Sequence, residues 1–254
     1  MQGKNLAGRT AVVTGARRGI GRAIALRLGA AGARLALVDH ESAEEAAAEA
    51  RQAGADAQAY RCDVRDAAAV ERLAGEVGTR FPSVNIVVNA AGIPMRRRIS
   101  EISLEEWQQT IDVNLTGPFL VARAFLPRMR GQGYGRIVNM TSVMAHIATG
   151  DRPAYCAAKA GLLSLTRSLA CEWAGDRISV NAIAPGVFPS DLNSEIVLDT
   201  PRGHEILTRT PMGRFGKPDE LVPAAILLAG DGASFLTGQC IAVDGGYLAS
   251  GVNS

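Results

Sequence analysis

A phenol and an ammonium stand four residues apart, Tyr155 and Lys159, at the start of the run YCAAKAGLLSLTRSLACEWAG. That run reads as a helix, and positions four apart on a helix share a face. An ammonium beside a phenol favours the phenolate, so the Tyr155 pKa is expected to fall from an ordinary value of about 10. A phenol tuned toward neutrality can take and give protons at physiological pH. Ser142 lies thirteen residues earlier, after the apolar run RIVNMTS, which reads as a strand. A hydroxyl there can hydrogen-bond a substrate oxygen while Tyr155 exchanges its proton. Tyr-x-x-x-Lys alone also occurs on ordinary helix surfaces, so the elements around it must decide its meaning.

The chain has 254 residues, 47% hydrophobic and 20% charged, enough for one α/β domain with a sizeable core. Its net charge of +2, without a long basic run, argues against nucleic acid as a partner. The start, MQGKNLAGRT, lacks the apolar core of a signal peptide, and no stretch approaches the roughly 18 apolar residues of a membrane span. Cys62, Cys156, Cys171 and Cys240 are scattered, which argues against a zinc site or a disulfide framework and fits a reducing cytoplasm. No metal site is expected.

The elements then follow in order. Thr10–Thr14 (TAVVT) is short, apolar and β-branched, the signature of a buried strand. Gly15, Gly19 and Gly21 form a turn, and Ile20, Ile24 and Leu28 give the helix after it an apolar stripe. Such glycines let a pyrophosphate approach the backbone at a helix N-terminus. The spacing is Gly-x3-Gly-x-Gly, not the commoner Gly-x-Gly-x-x-Gly fingerprint. A second strand, Arg34–Val38, ends at Asp39. An acid there can hydrogen-bond the adenosine ribose and repel a 2′-phosphate, which favours NAD over NADP. Arg17 and Arg18 pull the other way. Asp39 could instead cap a helix over 41–53, a task Ser42 could also perform. A third strand, near 57–61, ends at Cys62-Asp63-Val64. A fourth, Asn85–Val88, runs into Asn89-Ala90-Ala91-Gly92. The alternation of these four strands with helices predicts a parallel sheet with helices on both faces, in a single domain over 1–254.

With these motifs in order, the chain resembles the short-chain dehydrogenase/reductase family over nearly its whole length, which implies a single-domain Rossmann fold with a doubly wound parallel α/β sheet of about seven strands. Thr14–Gly21 (TGARRGIG) is similar to the family's cofactor loop, and Asp63-Val64 to its adenine contact. Asn89–Gly92 resembles its Asn-Asn-Ala-Gly turn, with Ala90 in place of the second Asn. Asn114 matches the helix Asn of a proton relay, and Ser142, Tyr155 and Lys159 match the catalytic trio. Pro185-Gly186, with Val187, matches the loop over the nicotinamide, and Ser190 falls where a Thr usually holds the carboxamide. The resemblance thus assigns the cofactor to Gly15, Arg17, Arg18, Gly19, Ile20, Gly21, Asp39, Asp63, Val64, Asn89, Ala91, Gly92, Tyr155, Lys159, Pro185, Gly186, Val187 and Ser190. It implies hydride transfer between a secondary alcohol or ketone and NAD, NADP being the less favoured cofactor. Tyr155 is then the acid/base, Ser142 orients the oxygen, Lys159 tunes Tyr155 and holds the ribose, and Asn114 fixes a water.

The substrate pocket falls, by the same resemblance, on the loop after Gly92, the stretch 143–152 and a lid over 188–215. The loop GIPMRRRIS is similar to that of gluconate 5-dehydrogenase-like members, with an Arg at the position of Arg96. Arg offers a carboxylate a bidentate fork. Arg96 is therefore a candidate substrate contact, together with His146; Arg97 and Arg98 read as solvated. The lid lacks a long aromatic stripe, which points to a sugar acid, a deoxy-keto sugar acid or a polyol. Two other classes compete. One is an NADPH-dependent 3-oxoacyl-[acyl-carrier-protein] reductase, which Arg18 would suit. The other is a non-enzymatic dinucleotide-binding protein, against which the intact Asn114, Ser142, Tyr155 and Lys159 argue. The resemblance also implies a homotetramer paired through helices near 104–129 and 155–175 and through the last strand.

Overall fold

A computed structural model describes residues 5–189 and 198–251. Their strands are β1 (Thr10–Thr14), β2 (Arg34–Asp39), β3 (Ala57–Arg61), β4 (Ile86–Asn89), β5 (Gly135–Met140), β6 (Ile178–Pro185) and β7 (Cys240–Val243). They form one sheet in the order β3-β2-β1-β4-β5-β6-β7, and every pairing is parallel. The helices are α1 (Gly19–Ala30), α2 (Glu44–Gln52), α3 (Ala67–Arg80), α4 (Leu104–Ile111), α5 (Gly117–Met129), α6 (Pro153–Trp173), α7 (Pro201–Arg209) and α8 (Val222–Ala229).

Both faces of the sheet are buried, which is why its strands are apolar at consecutive positions. Successive side chains point to opposite faces. Ala11, Val13, Leu35 and Leu37 join Ile24 and Leu28 of α1 and Leu228 of α8 on one face. Val12, Ala36 and Val38 join Leu73 of α3 and Phe125 of α5 on the other. The expected doubly wound parallel architecture is the one found.

Three local readings change. Helix α2 begins at Glu44, three residues later than expected, and Ser42 Oγ accepts from the Glu44 N–H at 3.3 Å just before it. Strand β4 is Ile86–Asn89, one residue later than expected. Asn114 stands in a π-helical segment, Asp112–Thr116, between α4 and α5, and not in a regular helix. A π-turn shifts the side chains after it around the helix axis, and this one leaves Asn114 fully buried.

Candidate active site

The strands leave β1 and β4 side by side, with β2 and β5 outside them, so the chain departs in opposite directions from neighbouring strand ends. Such a point forms a crevice at the carboxyl edge of the sheet. Thr14 pairs with Asn89 across it, and Asn89 with Asn139. The two turns that leave these strands are in close contact. Gly15 adopts φ +68°, and a Cβ on it would lie 2.7 Å from Ala91 N. Thr14 Oγ1 accepts from the N–H groups of Ala90 and Ala91, each at 3.2 Å. The sequence placed Thr14 at the head of the cofactor-loop motif but did not reveal that its buried hydroxyl fixes the turn around Ala90.

The residues here fit an anionic dinucleotide. Helix α1 starts after Arg18 with no side-chain cap and no acid in its first turn. Its first N–H groups and positive dipole end are therefore available to a phosphate. At the end of β2, Asp39 is 8% exposed. Its carboxylate accepts from the N–H of Arg17 at 3.3 Å and of Glu41 at 3.2 Å, so it orders both loops and is not a cap of α2. The Arg17 side chain lies against acids, 3.2 Å from Glu41 and 3.9 Å from Asp39. Arg18 has no carboxylate partner among the described residues. Asp63 is gripped by its neighbour Arg65, at 2.6 Å and 3.0 Å, and this fork holds its carboxyl below the usual range.

A buried polar chain crosses the sheet beside the crevice. Asn89 Nδ2 donates to Asn139 Oδ1 at 2.8 Å, and Asn139 Nδ2 donates to Thr166 Oγ1 on α6 at 2.9 Å. Asn89 Oδ1 and Asn114 Oδ1 are buried without a hydrogen-bond partner among the described residues. Asn114 Nδ2 donates to the carbonyls of Ile93 and Thr110, at 3.1 and 3.0 Å. A Cβ on Gly92 would lie 2.9 Å from Asn114 Oδ1 and 3.6 Å from Lys159 Nζ. An orphaned acceptor and a buried ammonium thus converge on one spot.

Ser142, Tyr155 and Lys159 come together where β5 ends against α6. Ser142 caps a short 3₁₀ turn, Val143–Ala145, with Oγ accepting from Met144 N–H at 3.1 Å. That hydroxyl is also near enough to the Tyr155 phenol to favour the phenolate. Pro153 starts α6, a position where its missing N–H costs nothing. Lys159 is 4% exposed and its Nζ donates to the Met140 carbonyl at 2.8 Å. The expected electrostatics do not hold here. Burial pushes the Tyr155 phenol up; the nearby Ser142 hydroxyl and then the Arg152 charge pull it back down. Lys159 is itself pushed down to about 8 by burial. Loss of hydration outweighs the neighbouring charge, a balance that spacing along a helix does not reveal.

The substrate side differs more from expectation. Arg96 does not present an open fork; its Nε donates to Asp151 Oδ2. Arg97 pairs with Glu106 at 3.5 Å, and Arg98 is exposed. His146 sets Nε2 3.6 Å from Cys240 Sγ. Besides Lys159, a second cation stands by the phenol: Arg152, its guanidinium carbon 5.9 Å from the Tyr155 ring centroid. Arg202 of α7 reaches Asp151 Oδ2 at 3.2 Å. Sequence reasoning missed Arg152, although its place three residues before Tyr155 was a usable signal. Pro185 ends β6, and Gly186 N–H bonds Val243 at 2.9 Å. Val187 faces a cavity of about 390 Å³ shared with Phe188, Thr210, Met212, Phe215 and Asp244. Ser142, Tyr155 and Lys159 do not line that cavity. Ser190 and part of the 188–215 lid lie outside the described residues. No helix among the described residues is long and apolar enough to cross a membrane.

A family model described as enoyl-(acyl carrier protein) reductase matches residues 15–248. The chain is 43% identical over 245 residues to D-threitol dehydrogenase of Mycolicibacterium smegmatis, across 95% of this chain and 94% of that one. It is 36% identical over 244 residues to an NAD-dependent glycerol dehydrogenase of Listeria innocua, across 96% and 95%. Among solved structures it matches a gluconate 5-dehydrogenase from Burkholderia cenocepacia in complex with NADP and tartrate. The TM-score is 0.93 at 36% identity, and 98% of each chain is covered.

Proposed function

The chain belongs to the short-chain dehydrogenase/reductase family, nicotinamide-dependent oxidoreductases of CH–OH groups, and within it we propose an NAD-dependent dehydrogenase of a sugar acid, a deoxy-keto sugar acid or a polyol. The observation that carries this reading is the convergence of Ser142, Tyr155 and the buried Lys159 at the carboxyl edge of the sheet, with Lys159 Nζ 5.7 Å from the Tyr155 ring centroid.

A bound nicotinamide ring would supply the hydride acceptor. The turn from Gly15 to Gly21, with Arg17, Arg18 and Ile20, would hold the pyrophosphate. Asp39 would hold the adenosine ribose, and Asp63 and Val64 the adenine. Asn89, Ala91, Gly92, Tyr155 and Lys159 would hold the nicotinamide ribose, and Pro185, Gly186 and Val187 the carboxamide. Tyr155 takes the proton of the substrate hydroxyl. Ser142 donates to the same oxygen and stabilises the charge that develops on it. Lys159 passes the proton on toward a water held by the orphaned Asn114 Oδ1.

The preference for NAD is supported by Asp39 and by the pairing of Arg17 with Asp39 and Glu41. A 2′-phosphate would meet two carboxylates there. The unpaired Arg18 supports the second reading, an NADPH-dependent reductase of 3-oxoacyl carrier-protein thioesters, in line with the description of the matching family model. A homotetramer is also part of the proposal, supported by Leu104, Phe119 and Phe235, exposed by 75%, 42% and 102%. The four free thiols agree with a cytoplasmic site of action.

The experiment is a spectrophotometric screen of NAD+ and NADP+ reduction against sugar acids, polyols and simple secondary alcohols at mildly alkaline pH. A clear rate with NAD+ and a sugar acid or polyol is expected. Silence there, with NADPH oxidation by a 3-oxoacyl thioester, would select the second reading.

A further inference from the structure

Three guanidiniums and one carboxylate gather beside Tyr155. They come from distant parts of the chain: Arg96 from the loop after β4, Asp151 and Arg152 from the two positions just before α6, and Arg202 from α7. Asp151 Oδ2 accepts from Arg96 Nε and from Arg202 Nη1, the latter at 3.2 Å. One carboxylate therefore faces three cations. Arg152 lies over the Tyr155 ring at 5.9 Å and makes no side-chain hydrogen bond among the described residues. Its Nε is buried, as is the unpartnered Nε of Arg202.

A buried cationic donor without an acceptor is costly, and it persists where something else supplies the acceptor. The guanidinium is a planar fork that matches a carboxylate. Asp151 already neutralises part of the charge of Arg96 and Arg202, so the uncompensated guanidinium of the group is that of Arg152. We propose that Arg152, flanked by Arg202, receives the carboxylate of an anionic substrate whose hydroxyl reacts at Tyr155. The enzyme then selects aldonates over the alditols of the same carbon skeleton. Arg96 acts behind this pair as a positioning residue, holding Asp151. The proposal rests on the reading of Tyr155 as proton acceptor and narrows its substrate class to acids.

The test compares matched pairs, D-gluconate with D-glucitol and D-threonate with D-threitol, in wild type, Arg152→Gln and Arg152→Lys. NAD+ binding and thermal melting establish that each variant is folded. Arg152→Gln is expected to lower kcat/KM for each aldonate relative to its alditol by about ten-fold or more, the effect of one lost charge-assisted hydrogen bond. Arg152→Lys, which keeps the charge without the fork, is expected to fall between. Equal losses for acid and alditol, with the pH profile displaced, would mean that Arg152 only tunes Tyr155 and would overturn the proposal. A wild type that oxidises alditols but no aldonate would overturn it too, while leaving the reaction reading standing. If neither class reacts, the reaction reading fails, and calorimetry of D-gluconate binding judges the anion site alone. Binding weakened about ten-fold in Arg152→Gln supports the site, and equal binding rejects it.

Discussion

Lys159 Nζ donates to the Met140 carbonyl at 2.8 Å and stands 5.7 Å from the Tyr155 ring centroid, so the ammonium is tied to the end of β5. Burial lowers its pKa from 10.5 to about 8. Between those two values the folded chain binds fewer protons than the unfolded chain. Stability without cofactor therefore rises as pH climbs from about 8 toward 10.5, and the full penalty stands below about 8. That penalty is on the order of 3 kcal/mol, against roughly 1.5–3 kcal/mol for the charge-assisted hydrogen bond to Met140. Lys159→Met should melt no lower than wild type near neutral pH, fall below it near pH 10, and have little activity. A lower melting temperature at neutral pH would contradict this.

Ser142 and Arg152 are the groups that pull the Tyr155 phenol down against its burial. Alcohol oxidation requires the phenolate, so its rate should rise with pH. Ser142→Ala removes the larger of the two pulls and should move that rise to higher pH. It should also cost about 10²–10³ in kcat, the loss typical of one oxyanion donor. A pH–rate profile superimposable on that of wild type would remove Ser142 from the mechanism.

Asp39 and Glu41 together hold the Arg17 side chain. Asp39→Ala removes one acid from the ribose position and loosens Arg17. The ratio of kcat/KM for NADP+ to that for NAD+ should rise by about ten-fold or more. If the ratio stays constant, Arg17 and Arg18 set the preference and Asp39 serves only to order the two loops.

Gly15 is held at φ +68° with its Cβ position 2.7 Å from Ala91 N. Gly15→Ala meets backbone on one side and a left-handed conformation on the other, so it should destabilise the fold by at least about 1–3 kcal/mol and weaken dinucleotide binding. Gly75, in α3, has nothing within 4 Å of its Cβ position. Gly75→Ala should therefore stabilise by about 0.5–1 kcal/mol. Chemical denaturation of the two variants measures both signs, and a neutral Gly15→Ala would show that the two turns can separate.

The parallel sheet was legible because its signals are local. Buried strands such as Thr10–Thr14 are apolar throughout, and the glycine turn announces α1. Tyr155 and Lys159 were legible as a pair for the same reason. Their protonation was not, because desolvation depends on what β5 and the loops place around α6. Arg96 was chosen for its residue type, but its partner Asp151 is 55 residues away and only folding joins them. Arg202 escaped notice for the same reason, whereas Arg152, three residues before Tyr155, carried a local signal that went unused. The π-helical segment at Asn114 carries no periodic signal that separates it from the helices on either side.

Single-turnover mixing of Tyr155→Phe with NAD+ and a substrate found in the screen tests the central claim most directly. The variant keeps the ring and loses the proton acceptor. Cofactor binding by fluorescence is expected to match wild type, while the nicotinamide absorbance of the reduced cofactor fails to appear. A burst of reduced cofactor at a rate within about ten-fold of wild type would show that Tyr155 does not take the proton.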